Sequence, residues 1–359
     1  IPYLKRAFID SQPNDLGDGL LVGELGPDGG KKEMVLRFAE KLGQPSDDPR
    51  AGKTDSLLIS YRGKLILESY YRRGRLNYPH YQMSITKSYT ALGVGRAIQL
   101  GYLKMNDLHQ PVISFLKDID SKLLASGADQ ITLHQAMQMT SGIRVERETV
   151  NKLRRNQASL LGQKQIQAYL QFSDPVPPAP RDFKYQACDP ALAMQILDAA
   201  VPGTAREFIR KELFGPLAVE SYYWQDDVSG LPKSAAGCSI RSRDMVKMGQ
   251  LVLNHGQWKE KQIVPAAYVD RATSPIKQAY GSSAYGYFWW VQEVTIEGKV
   301  YRCKQGRGAG GQFLFIIPQL DLVIVATAHN AGMGNMLREI AEDLIPAFVG
   351  RSPALKGLP

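Results

Sequence analysis

Short apolar runs rich in β-branched and aromatic residues cluster at the two ends of this chain. That distribution restricts its fold more than any single motif. Near the start, Ser56–Ser60 and Lys64–Ser69 are two such runs joined through Tyr61-Arg62-Gly63, a hairpin signal. The runs return only after about residue 240, as Tyr285–Glu293, Lys299–Cys303, Gln312–Ile317 and Leu322–Ala328, with turn signals at Glu297-Gly298 and Pro318–Asp321. Between them the apolar spacing is helical. Ser84–Leu100 gathers Ala91, Leu92, Val94, Ala97, Ile98 and Leu100 as a buried set and stops at Gly101. Thr132 caps a short helix, Leu133–Met139, ended by Ser141-Gly142, and helical stretches follow around 157–171, 189–200 and 204–213. The Pro-rich segment Pro175–Pro180 is a stiff surface connection among them. Helices are also expected over Lys31–Leu42, stopped by Gly43, and over Gly334–Val349, while residues 1–30 read as an extended arm.

Strands this short and locally connected favour an antiparallel sheet with helices packed on it. The expectation is an α+β fold in which a discontinuous α/β lobe, residues 1–83 and 240–359, encloses an inserted helical lobe, residues 84–239. A chain of 359 residues is long enough to give two lobes real cores. No apolar stretch reaches the length of a membrane span. The sequence starts at Ile1 with no leader pattern in view, so the compartment stays open.

The formal charge is +9, from 44 Lys+Arg against 35 Asp+Glu. Arg72-Arg73-Arg75 and Lys152-Leu153-Arg154-Arg155 are its densest clusters, and both read as solvated surface because no interleaved aromatics accompany them. A mild attraction to acidic polymers is compatible with this, but nucleic acid is not an expected partner. The three cysteines, Cys188, Cys238 and Cys303, form no C-x-x-C pair, and the five histidines are scattered without H-E-x-x-H. Neither a metal nor another cofactor is expected.

Ser84-Ile85-Thr86-Lys87 carries the chemistry. At i and i+3 on a helix the two side chains share one face, a turn apart. A serine hydroxyl is a weak nucleophile until a base takes its proton, and a lysine is a base only when its amine is held neutral, as burial and a helix N-terminus both promote. The same helix start leaves the Ser84 N–H free to help hold a developing oxyanion. The spacing also occurs at Ser114–Lys117 and Ser274–Lys277. However, Ser114 precedes an acidic stretch, and Pro275 spoils a helix start at Ser274.

Gln82-Met83-Ser84-Ile85-Thr86-Lys87-Ser88-Tyr89-Thr90-Ala91-Leu92 resembles the nucleophile segment of class C β-lactamase-like serine hydrolases, a superfamily that includes penicillin-binding D,D-peptidases, esterases and 6-aminohexanoate-oligomer hydrolases. Ile131-Thr132-Leu133 through Thr140-Ser141-Gly142, Ala236-Gly237-Cys238-Ser239 through Asp244, and Gly249–Leu253 are similar to further stretches of that family, in consistent order over roughly residues 55–345. The resemblance implies a β-lactamase/transpeptidase-like fold and hydrolysis of a small-molecule or short-peptide ester or amide through an acyl-enzyme on Ser84. It also allows a periplasmic or secreted location and says nothing of oligomeric state.

The family's second element is Tyr-x-Asn. Here Tyr185-Gln186-Ala187 stands in that place, so Tyr185 keeps its proton-handling role, as a phenolate favoured by nearby lysine, while Ala187 replaces the asparagine that meets the substrate amide. Asp189 matches a Tyr-x-Ser-x-Asp form of non-lactamase members and is carried as a substrate-side candidate. The third element is normally Lys-Thr-Gly or His-x-Gly, and the segment Lys304-Gln305-Gly306-Arg307-Gly308-Ala309-Gly310-Gly311-Gln312 permits two registers. Lys304-Gln305-Gly306 imitates the letters. Gly308-Ala309-Gly310 fits the spacing to Gln312 and Pro318 and is preferred, with a backbone N–H near Ala309 completing the oxyanion hole and Arg307 as the cation. Dinucleotide binding by Gly306, Gly308 and Gly311 is rejected because a strand follows rather than a helix. Tyr285–Trp290 reads equally as pocket lining or sheet core. The leading expectation is an esterase- or amidase-like hydrolase. A β-lactamase or D,D-peptidase, and a non-catalytic peptide- or peptidoglycan-binding protein, are the alternatives.

Overall fold

Apolar runs without strict alternation belong to strands covered on both faces, and the central strands meet that condition here. The computed structural model describes residues 1–350. Its main sheet has ten strands: β1 (Phe8–Asp10), β2 (Leu21–Val22), β3 (Thr54–Tyr61), β4 (Lys64–Tyr70), β5 (Lys277–Gln278), β6 (Ala284–Tyr285), β7 (Trp290–Ile296), β8 (Lys299–Gly308), β9 (Gln312–Ile317) and β10 (Leu322–Ala328). The order is β1-β4-β3-β10-β9-β8-β7-β6-β5, with β2 parallel to β4 and the other pairs antiparallel. The early and late strands join where β3 pairs with β10, in the register Ile59↔Ile324 and Leu58↔Val325. Alternate residues then serve two cores. Leu58, Leu314 and Val325 pack with Ile85, Leu92 and Leu192, whereas Ile59, Phe313 and Ile324 pack with Val35, Phe38 and Leu344.

α1 (Lys32–Gly43) packs in one core, and α2 (Thr86–Gln99), α3 (Cys188–Ala200) and α4 (Ser242–Leu253) pack in the other, which holds Ile85 beside Ser84. α4 occupies a stretch in which the apolar spacing indicated no particular element. It lies against β3, β9 and β10 and is buried along nearly its whole length, with Lys247 paired to Asp244 at 2.8 Å and Arg243 to Glu68 at 2.8 Å. A helix enclosed on most sides lacks the polar stripe that would betray it.

The run expected over Tyr285–Glu293 is broken at Phe288, whose φ is +60°, so β7 starts at Trp290. β8 in turn runs five residues past the expected Cys303, carrying the glycine-rich segment as strand to Gly308. The expected C-terminal helix is divided into Met336–Glu339, a π turn Ile340–Leu344 and a 3-10 turn Ile345–Phe348, where Pro346 lacks the N–H that an α-helix would use. Among the described residues no helix is long and apolar enough to cross a membrane.

Candidate active site

A short strand, His80–Tyr81, leads directly into the nucleophile turn. The reversal falls on Met83, whose φ of +50° is unusual for a residue with a side chain. Ser84 sits in a single 3-10 turn, Met83–Ile85, that runs into α2. Its N–H therefore lies at a helix start, where backbone donors have no acceptor within the helix. Gln82 anchors the turn from below: its N–H donates to the Cys238 carbonyl at 2.8 Å and its side chain to the His80 carbonyl at 2.8 Å.

Lys87 Nζ lies 2.9 Å from Ser84 Oγ and donates to the Ala235 carbonyl at 2.7 Å. The residue is only 4% exposed, and among the described residues no carboxylate lies within ion-pair distance of it. Burial without a counter-ion pushes its pKa down to about 7. A neutral amine can spend one N–H on Ala235 and still turn its lone pair to the Ser84 hydroxyl. The Ala235 carbonyl is a contact that no residue-type pattern could reveal.

Tyr185 completes a group of three. Its ring lies under Lys87 Nζ at 4.6 Å, and its hydroxyl is close enough to Ser84 for that side chain to favour the ionised phenol. The phenolate expected from nearby lysine does not fit this setting. Burial pushes the Tyr185 phenol up to about 12, outweighing the opposing effects of Ser84 and Arg307, and with a pKa of about 7 Lys87 is itself only about half charged near pH 7. Tyr185 is therefore a neutral phenol here. It stacks on Trp290 with ring centroids 5.6 Å apart, so Trp290 shapes the site from a segment whose sequence left pocket and core undecided.

The strand facing the Ser84 turn is β8. A Cβ at Gly306 would stand 3.1 Å from Ile85 Cγ2, and one at Gly308 would stand 2.5 Å from the Gln82 carbonyl oxygen. These glycines let the strand backbone approach the nucleophile turn. Ala309 follows the last paired residue of β8, Gly308, which is opposite Gln312. Lys304 has Asp270 and Arg302 as its charged neighbours. Gly308 borders the turn before Ser84 at the Gln82 carbonyl, and Gly306 meets Ile85 within it.

Arg307 donates to Gln305 Oε1 at 2.6 Å, Gln292 Oε1 at 2.8 Å and Ser283 Oγ at 3.2 Å, all neutral oxygens, and its guanidinium lies 4.9 Å from the Trp290 ring centroid. Burial lowers its pKa to about 10. Asp189 lies elsewhere than a substrate-side role requires. It is fully buried, accepts from Ser141 at 2.5 Å and Gln186 at 2.9 Å, and burial raises its pKa to about 6. It holds the loop carrying Tyr185 from inside. Ala187 is exposed at the start of α3 and offers no polar side chain there. The other two S-x-x-K serines, Ser114 and Ser274, donate to carbonyls three residues back, those of Pro111 and Arg271.

Residues 48–344 match the sequence pattern of the family described as Beta-lactamase. The chain belongs to the beta-lactamase family. No curated protein sequence matches. Among solved structures, the hydrolase EstCE1, which has promiscuous acyltransferase activity, superposes with a TM-score of 0.69 at 15% identity over 89% of this chain and 99% of its own. A class C beta-lactamase mutant gives 0.67 at 16% identity over 88% and 96%. A D-stereospecific amidohydrolase from Streptomyces sp. gives 0.62 at 16% identity over 86% and 98%. At such identities the likeness is one of fold: the beta-lactamase/transpeptidase fold, an antiparallel sheet flanked by helices. Beta-lactamase-family membership supports a hydrolase.

Proposed function

We propose that this protein is a metal-independent serine hydrolase that cleaves an ester or amide through an acyl-enzyme on Ser84, closer in activity to the esterases and amidases of the family than to its β-lactamases. The observation that carries the reading is the buried, unpaired Lys87 amine 2.9 Å from Ser84 Oγ. As Oγ bonds to the substrate carbonyl carbon, the hydroxyl proton passes to Lys87 Nζ. The carbonyl π pair moves to oxygen, held by the Ser84 and Ala309 N–H groups. Collapse expels the alcohol or amine, which takes the proton from Lys87 directly or through Tyr185, whose phenol gives one proton as it receives another. Water then attacks the ester with Lys87 as base, releasing the acid and restoring Ser84.

The preference for esters rests on Ala187 and Arg307. A side-chain amide is missing at Ala187, and Arg307 is engaged by Gln305, Gln292 and Ser283. A simple activated ester needs less of such help, because its leaving group departs more readily. The test compares kcat/KM for p-nitrophenyl acetate or butyrate with that for a chromogenic cephalosporin on one preparation. Ester turnover with slow or no cephalosporin turnover is expected. Cephalosporin turnover of about 10⁴ M⁻¹s⁻¹ or more without esterase activity would reverse the assignment.

A further inference from the structure

The Ala309 N–H lies in a turn between β8 and β9, and the side chain beneath that turn is Gln312. Gln312 is 2% exposed, and its amide is fully engaged. Nε2 donates to the Ala328 and Ala309 carbonyls, the latter at 3.3 Å, and Oε1 accepts the Ala328 N–H at 3.3 Å. The ring of His80 meets the same Gln312 side chain and the Ala328 carbonyl. Behind His80 lies Asp55, with no exposed surface, its Oδ2 3.9 Å from His80 Nδ1 and 2.9 Å from His329 Nδ1.

This arrangement constrains one peptide plane from both sides. Gln312 holds the Ala309 carbonyl, and the Gly310 N–H of the same plane donates to the Gly332 carbonyl at 2.5 Å. On the other side Gly308 is fixed by its pairing with Gln312. With both flanks held, the direction of the Ala309 N–H is left with little freedom. Pairing with both polar groups of Ala328 settles which end of the amide is nitrogen, since Ala328 offers one donor and one acceptor.

We propose that Gln312 is a positioning residue for the oxyanion hole: its amide, backed by His80, aims the Ala309 N–H at the substrate oxygen. This rests on Ser84 being the acylated nucleophile, and it adds a residue that touches neither substrate nor Ser84. An N–H misaimed by about 1 Å loses rate on the order of 10²-fold, largely in kcat.

The experiment compares a p-nitrophenyl ester with its thionoester, whose larger and weaker acceptor sulfur fits a preset oxyanion hole poorly. It uses wild type, Gln312→Ala and Gln312→Glu; the last keeps the side chain's size and removes both N–H donors. Wild type should prefer the oxygen ester strongly. Each variant should lose about 10²-fold in kcat with KM within about threefold, and its oxygen-to-sulfur preference should fall at least tenfold. An unchanged preference in a folded variant, whatever its overall rate, overturns the positioning role. If Gln312→Ala does not fold, the Gln312→Glu ratio decides alone. Wild type that hydrolyses the ester without an adduct on Ser84 instead removes the reading on which the role rests.

Discussion

Lowering the pH should switch this enzyme off through Lys87, and the structure sets where. A lysine amine titrates at 10.5 when unperturbed, whereas burial brings Lys87 to about 7. At pH 7.5 an unperturbed amine would be only about 0.1% neutral, while one with a pKa of 7 is about three-quarters neutral, a gain of several hundredfold in competent base. The logarithm of kcat/KM for a p-nitrophenyl ester should rise with unit slope up to about pH 7 and level off above about pH 8. Tyr185 at about 12 and Arg307 at about 10 leave the plateau intact until well above neutrality. Because the folded pKa is depressed, the unfolded chain binds the extra proton between about 7 and 10.5, so this group's burden on stability is greatest below pH 7 and fades as pH rises towards 10.5. At pH 7.5 the burden is at most about 4 kcal/mol. Lys87→Met should therefore be inactive yet more stable than wild type at pH 7 in urea unfolding. Lys87→Arg, which cannot release its proton, should lose at least about 10³-fold in kcat. A rate that is flat between about pH 5 and 9, or an acid limb near 4, would refute the assignment of Lys87 as base.

Tyr185→Phe and Lys87→Ala should each cost several orders of magnitude in kcat and the double variant little more, as for residues that act as one unit. Near-wild-type rates in Tyr185→Phe would remove the phenol from the proton path. Gly308→Ala places a Cβ 2.5 Å from the Gln82 carbonyl oxygen, so β8 must retreat from the nucleophile turn; kcat should fall about 10²-fold, measured with the same esters. Asp189 has a folded pKa raised to about 6 from 3.8, so its contribution to stability is present at low pH and lost as pH rises through about 6. Asp189→Asn should remove up to about 3 kcal/mol of that pH dependence, read from unfolding curves between about pH 4 and 7.

The contact of Ser84 with Lys87 was legible because a spacing of three on a helix states a geometry as well as a pattern. The enclosing sheet was legible because apolar runs at both ends must meet to be covered. What escaped depends on contacts between distant segments. A run of glycines reads in two registers, and neither the Gln82 carbonyl against Gly308 nor Ile85 against Gly306 can be read from the letters. Asp189 looked available until its carboxylate was found turned onto Ser141 and Gln186. The protonation of Tyr185 follows from how deeply Trp290, Tyr285 and its own loop bury it, and no local spacing records that depth. α4 was hidden for a similar reason, since Arg243 is buried there by Asp18 and Glu68, both far away in sequence, and Lys247 by Asp244 one turn back together with the Ala218 carbonyl.

Intact-protein and peptide mass spectrometry of the enzyme quenched during turnover of p-nitrophenyl butyrate tests the mechanism most directly. A butyryl group on the peptide containing Ser84, absent from Ser84→Ala together with activity, is the predicted result. Turnover that survives in Ser84→Ala, or an acyl group found instead on Ser114 or Ser274, would contradict it.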